Sequence, residues 1–345
     1  MHMPRGLFVV AAALCSSVAL CWQFLKLHSL RPSGGTLEVL RGTEITWQKP
    51  PLFVKAVLFV AHGCGHSALD FFDRSKTCQQ CIGLPEEKAV VKHALEAGFL
   101  VIAASSKDRA GTRCWSVKTP GQDDDDGAAV RRAIHTIVER ELPRQKLPLF
   151  AFGASSGGSF VQTLPLYAPE MVAVVAQIAP GLTVVSPEGF RMPPSKTPTA
   201  FSHMPRDAST AKKIRGAVKT LKQLHIATEE WEAHPLPVPD TFFAERIEAV
   251  QGDQSMALVQ ALRKGGIIDL NTEMLRTDPR DGRWRHALRN DPAASQVIAE
   301  LGDSLVADES PIAEELNVAW ATHELSAAHM PQILAWLMMQ GKAGG

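Results

Sequence analysis

Four short apolar runs punctuate the first half of the chain: "VKAVLFVAHG" (54–63), "FLVIAASS" (99–106), "LPLFAFG" (147–153) and "MVAVVAQIAPG" (171–181). Each is nearly continuous rather than alternating, the pattern of a strand covered on both faces. The segments between them carry helix punctuation. "PEEKAVVKHALEAG" (85–98) opens with proline and acids and closes with glycine, and "DDDDGAAVRRAIHTIVEREL" (123–142) opens with acids. Beyond the fourth run, "TPTAFSHMPRD" (197–207), "STAKKIRGAVKTLKQL" (209–224) and "HIATEEWEA" (225–233) read as strand, helix and strand. Buried strands alternating with helices predict an α/β chain with a mostly parallel central sheet flanked by helices. "TLEVLRGTEITWQKP" (36–50) adds a hairpin that turns near Arg41-Gly42. Ligands of such sheets sit at the carboxyl ends of the strands, so the chemistry is sought there.

The termini and the charge narrow the class. The chain has 345 residues, with Lys+Arg and Asp+Glu at 36 each, so there is no electrostatic case for nucleic acid as a partner. Residues 7–25, "LFVVAAALCSSVALCWQFL", carry no charge. At about 1.5 Å per residue they nearly cross a bilayer core of about 30 Å. They read as an N-terminal signal anchor in preference to a cleaved signal peptide, because no A-x-A cleavage pattern follows. With "RPSGG" as linker, residues 1–35 form the leader and 36–345 the folded domain. A membrane or secretory-pathway location follows from this expectation.

Residues 234–317 break the strand–helix rhythm. They hold one apparent long helix, "FFAERIEAVQGDQSMALVQALRKGG", an extended pair near "IIDLNTEML", and the arginine-rich "DPRDGRWRHALRN". The linker at 182–196 is too short for a large helical lid, so 234–317 is expected to form an inserted, mainly helical cap before the last helix, "HMPQILAWLMM" (329–339). Its arginines are interspersed with acids and read as a solvated face.

Gly153-Ala154-Ser155-Ser156-Gly157 is G-x-S-x-G after a strand and before a helix, the context of a nucleophile on a strained turn. The central Ser155 is the nucleophile. The backbone N–H of Ser156 is one oxyanion donor, and the N–H of Cys64, in the "HGCGH" that ends the first run, is the other. A phosphate-binding loop is excluded because no Gly-Lys-Ser/Thr follows. The acid comes after the nucleophile in chain order, and Asp207, just past a strand, stands in that place, with Asp240 as fallback. For the base, His323 precedes the terminal helix, with Ser326 as that helix's N-cap. His234 and His329 are the alternatives.

Four cysteines lie outside the apolar leader. Cys78, Cys81 and Cys114 are read as disulfide candidates, ahead of free thiols, zinc or a redox pair, and Cys64 as a small residue positioning backbone. The acids at 123–126 are read as helix caps rather than a cation site. No metal or organic cofactor is called for.

"HGCGHSALDFF", "CQQCIGLPEE", "RCW", "GASSGG", "HMPRD" and "EELNVAWATHE" together resemble the α/β-hydrolase superfamily, in particular a group of largely uncharacterised plant and algal members. The likeness runs from about 57 to 340. It implies Ser155, Asp207 and His323, in preference to His234, as the triad. It does not name a substrate, since the fold hosts many. The expected activity is hydrolysis of a small-molecule or lipid carboxylic ester through an acyl-enzyme. A serine peptidase of the prolyl oligopeptidase type and a non-catalytic scaffold are the rivals.

Overall fold

The computed structural model describes residues 34–118, 120, 125–185 and 191–343. The apolar segment 7–25 and its linker lie outside the described residues, as do Asp123 and Asp124. No helix among the described residues is long and apolar enough to cross a membrane.

β1 (Thr36–Leu40) and β2 (Thr43–Gln48) form the expected hairpin. Its turn residues Arg41 and Gly42 have φ of 50° and 83°. Positive φ at both central positions is the two-residue turn whose twist matches antiparallel strands. β3 (Ala56–Ala61), β4 (Phe99–Ala104), β5 (Leu149–Ala154) and β6 (Met171–Gln177) are the four apolar runs, and β3, β4 and β5 are buried at every position. A small hairpin of β7 (Val184–Val185) and β8 (Arg191–Met192) lies in the connection to β9 (Thr199–His203), which is followed by β10 (Glu230–Glu232). The main sheet runs β1-β2-β4-β3-β5-β6-β9-β10, and all its pairings from β4 to β10 are parallel.

Successive residues of one strand enter opposite apolar layers, as a pleated strand covered on both faces requires. Leu58 and Val60 pack with Val90 and Ala94 of α1 (Pro85–Ala97). Val57 and Phe59 pack with Val130 and Ile134 of α2 (Asp126–Glu141) and Phe160 of α3 (Ser156–Thr163). α4 (Ala208–Gln223) covers β9 through Ile214 and Val218. This strand order and layering is the α/β-hydrolase fold.

The inserted segment before the last helix is mainly helical, with α5 (Phe242–Arg246), α6 (Gly252–Lys264), α7 (Arg283–Asn290), α8 (Pro292–Leu301) and α9 (Pro311–Trp320). These surround a separate apolar core that includes Phe243, Leu258, Leu262, Trp284 and Leu316. The single long helix expected from 242 onward is two. Ile247 is extended, and Gln251 restarts the chain by exchanging side-chain and backbone bonds with Gln254. The extended pair reduces to one bridge, Ile268 to Leu275. The chain closes with α10 (Met330–Ala343), whose Ile333 and Leu337 join the layer of α1.

Candidate active site

β5 ends in the serine turn. Ser155 has φ 54° and ψ −115°, a conformation a β-substituted residue holds only under constraint. Its N–H donates to the Gln177 carbonyl at 2.9 Å, and its carbonyl accepts from Ser159 as α3 begins. The glycines around it answer to close approach. A Cβ on Gly157 would stand 2.4 Å from the Ala61 and His62 carbonyl oxygens, and one on Gly153 would stand 2.4 Å from the Gly157 oxygen. The turn is thus wedged against the end of β3.

Three side chains from distant parts of the chain meet there. Ser155 Oγ lies 3.0 Å from His323 Nε2, and His323 Nδ1 lies 2.7 Å from Asp207 Oδ2. Asp207 does two jobs with its two oxygens: Oδ1 accepts the Thr210 N–H at 3.1 Å and caps α4, while Oδ2 meets the histidine. Burial pushes this carboxyl up, but the hydrogen bonds from His323 and Thr210 outweigh it and hold it below the usual range. The other candidates stand elsewhere. His234 is 72 % exposed in its side chain and faces Glu232, and Asp240 pairs with Arg263. His329 has no hydrogen bond to Ser155 or Asp207, and its Nδ1 is buried without a partner.

The loop that carries His323 follows α9 through Ala321, which takes a left-handed φ of 58°. It is held at both ends. Arg206 donates to the Trp320 carbonyl and stacks 3.5 Å over the Trp320 ring, and Arg280 donates to the His323 carbonyl. Gln177 clamps Ser326 through both backbone groups, at 2.8 and 2.9 Å, while its own carbonyl takes the Ser155 N–H. One residue at the end of β6 therefore ties the serine turn to the histidine loop. Ser326 is not the N-cap of the last helix, which starts at Met330.

Cys64 and Ser156 border the serine, and no group among the described residues accepts either backbone N–H. Cys64 also corrects the reading of the cysteines. It is bonded to Cys114, and Cys78 to Cys81. The 62–66 loop is fixed to the 105–118 segment by this bond and by His62. Burial pushes the His62 imidazole down to about 4, so it is neutral. Its Nδ1–H then donates to the Gly63 carbonyl at 2.6 Å, and Nε2 accepts the Ser106 N–H at 3.0 Å. Trp115 donates its indole N–H to the His62 carbonyl and stacks on Phe160 of α3. Trp115, His62 and Gln177 are supports that sequence reasoning missed. The "RCW" motif was the available signal for the first.

A cavity of about 370 Å³ opens over Ser155. Gly63, Cys64 and Ile178 line the sheet side. The inserted segment supplies Arg280, Trp284, Arg285, Asp308 and Asn317. Arg280 and Arg285 line this cavity, although Arg280 stays exposed and pairs with Asp278 as a solvated residue does, while Arg276 and Arg283 pair with Asp269 and Asp281.

No family model and no curated protein matches this chain. Among solved structures it is similar to a thermostable esterase, at 15 % identity over 58 % of this chain and 55 % of that one, with a TM-score of 0.40. It is also similar to an esterase from Pyrococcus furiosus, at 15 % identity over 59 % and 81 % with a TM-score of 0.37. A protein from Thermus thermophilus aligns at 21 % identity over 58 % and 88 %, with a TM-score of 0.38.

Proposed function

We propose that this chain is a serine hydrolase that cleaves carboxylic esters by acyl transfer. The observation that carries the reading is the hydrogen-bonded series from Ser155 Oγ through His323 to Asp207, starting from a serine with φ of 54°. Ser155 attacks the ester carbonyl while His323 Nε2 takes its proton. Asp207 holds the Nδ1–H tautomer and stabilises the imidazolium. The N–H groups of Cys64 and Ser156 receive the oxyanion, and removal of one such donor typically costs about 10²–10³ in rate. His323 returns the proton to the leaving alcohol, and water then clears the acyl group by the same route.

Residues 234–317 act as the cap over this site in the proposed reading, because they form the cavity wall opposite the serine. The two disulfides fit a secretory or extracellular location. The apolar stretch 7–25 is assigned as the anchor. Membership of the plant and algal group belongs to the same reading.

The test treats the full-length chain with a fluorophosphonate probe and maps the labelled peptide. Labelling at Ser155 is expected. It should be abolished by Ser155→Ala, lost with His323→Ala and kept with His234→Ala. A folded wild type that takes no label overturns the reading in favour of a scaffold. Cleavage of aminoacyl amides but not short esters moves it to a peptidase.

A further inference from the structure

The cavity over Ser155 meets the first turn of α1, where carboxyl groups outnumber cations. Glu86, Glu87, Glu314 and Glu315 are all buried. Arg246 pairs with both Glu86 and Glu315 and so accounts for that half of the cluster. In the other half, burial and the charge of Glu87 push the Glu314 carboxyl well above the usual range, and it hydrogen-bonds to Glu87. His66 is an imidazolium. Burial alone would lower it, but its bond to Asp70 at 3.0 Å and the charge of Glu87 push it up to about 10.

Glu87 faces the His66 imidazolium and shares a hydrogen bond with Glu314, yet keeps one oxygen open. It is 2 % exposed, it lines the cavity, and its Oε2 is buried with no hydrogen-bond partner. The other carboxylates on the cavity wall are met. Glu324 accepts from Asn317 and the Leu325 N–H and faces Arg280, and Asp308 faces His66. Glu315 also keeps one open oxygen, but it does not line the cavity. A buried carboxylate oxygen without a donor is costly, so a group that enters the cavity and supplies one is favoured. A primary ammonium offers charge and three donors, whereas a hydroxyl offers one donor and no charge. Among the described residues no set of three His, Cys, Asp or Glu could hold a metal ion. Arg280 and Arg285 also line the cavity, Arg280 facing Glu324 and Asp278 and Arg285 donating to the Leu305 carbonyl.

We infer that Glu87 anchors a protonated amine of the substrate, so that the preferred esters carry a primary ammonium group. This rests on the serine hydrolase reading for the reaction, though not for the binding. The test uses the full chain carrying Ser155→Ala, titrated by calorimetry at pH 8 with n-butylammonium and with 1-butanol. The ammonium is expected to bind at least about tenfold more tightly, about 1.4 kcal/mol. Adding Glu87→Gln should erase that preference. Equal affinities, or a preference that survives Glu87→Gln, overturn the inference. Should Glu87→Gln fail to fold, the comparison of the two probes without it decides. Because Ser155→Ala cannot turn over, the outcome does not depend on hydrolysis. Ammonium binding by a chain whose native serine cleaves no ester would keep the site and discard the hydrolase reading.

Discussion

The two walls of the cavity are built by different physics. On the sheet side, Ser155, Ser156 and Cys64 are placed by backbone pressed against backbone. The glycines at 153 and 157 leave no room for a methyl group, and the support behind them is apolar strand. On the inserted side, placement comes from charge. Arg246 spans Glu86 and Glu315, Arg280 spans Glu324 and the His323 carbonyl, and Arg206 stacks on Trp320. Glu86 links the two sides, since its second oxygen accepts the Ala327 N–H at 2.6 Å, just past the histidine loop. The first wall is set by sterics and is indifferent to pH. The second rests on ionisation states and can be tuned.

The largest effects fall where the walls meet. Ser155→Ala is expected to lower kcat by about 10⁴–10⁶ with the fold intact. Asp207→Asn keeps the α4 cap but presents the wrong partner to His323, and a loss of about 10⁴ is expected. Steady-state ester hydrolysis beside a thermal melt checks both. A loss for Asp207→Asn of less than tenfold would mean that the histidine is held by its loop alone, through Arg280 on the inserted side and Gln177 on the sheet side.

Arg246→Met tests the charged wall. It keeps the volume of the stem and strands two buried glutamates. Breaking a buried pair costs about 3–5 kcal/mol, and the quarter exposure of Arg246 puts this case at the low end, about 3 kcal/mol. Gly157→Ala tests the steric wall by adding a single methyl group. Overpacking of this kind costs about 1–3 kcal/mol. It should also separate the Ser156 and Cys64 N–H groups and lower kcat more than it raises KM. Urea unfolding with kinetics on the same samples reads both. If Gly157→Ala proves silent in both, the serine turn is looser than its contacts imply.

The same division explains what is legible in the sequence. The serine turn is local: a continuous apolar run, then glycines at fixed offsets, then a helix, all within a dozen residues. The sheet follows from the runs themselves, because a strand buried on both faces leaves no polar alternation. Asp207 is legible twice over, as a helix cap and as a carboxylate just past a strand, and its two oxygens meet Thr210 and His323. The inserted side is not local. His323 stands behind more than eighty residues of insertion, and chain order with family resemblance marks it, not spacing. The Cys64–Cys114 bond joins residues 50 apart, and no periodicity announces it. Arg280 and Arg285 read as surface because their acids are near in sequence, yet they line the cavity. Glu86 and Glu87 look like ordinary first-turn acids of α1. Only the arrival of α9 turns them into a buried cluster.

The smallest expected effect is the one that separates the walls most directly. Burial raises Glu87 to about 7 and Glu315 to about 8, against an ordinary value near 4.5. His66 stands at about 10 against an ordinary 6.5. All three bind protons more tightly in the folded chain. Their contribution to stability is therefore complete at low pH and is lost as pH rises through the folded values. Asp207, with its depressed carboxyl, acts the other way below pH 4, and the buried imidazoles of His62, pushed down to about 4, and His329, also lowered, act the other way up to about pH 6.5. Between pH 7 and 9, above the window of the lowered imidazoles, the urea midpoint should therefore fall, by roughly 0.5 M for each ~1 kcal/mol lost at an m-value of about 2 kcal/mol/M. Glu315→Gln removes one of the three titrations and should flatten the slope, whereas a steric change such as Gly153→Ala should lower the midpoint equally at every pH. A wild-type midpoint that rises or stays level over this range would mean that the glutamates between α1 and α9 are ionised without penalty, and that the inserted wall, like the serine turn, is held by packing.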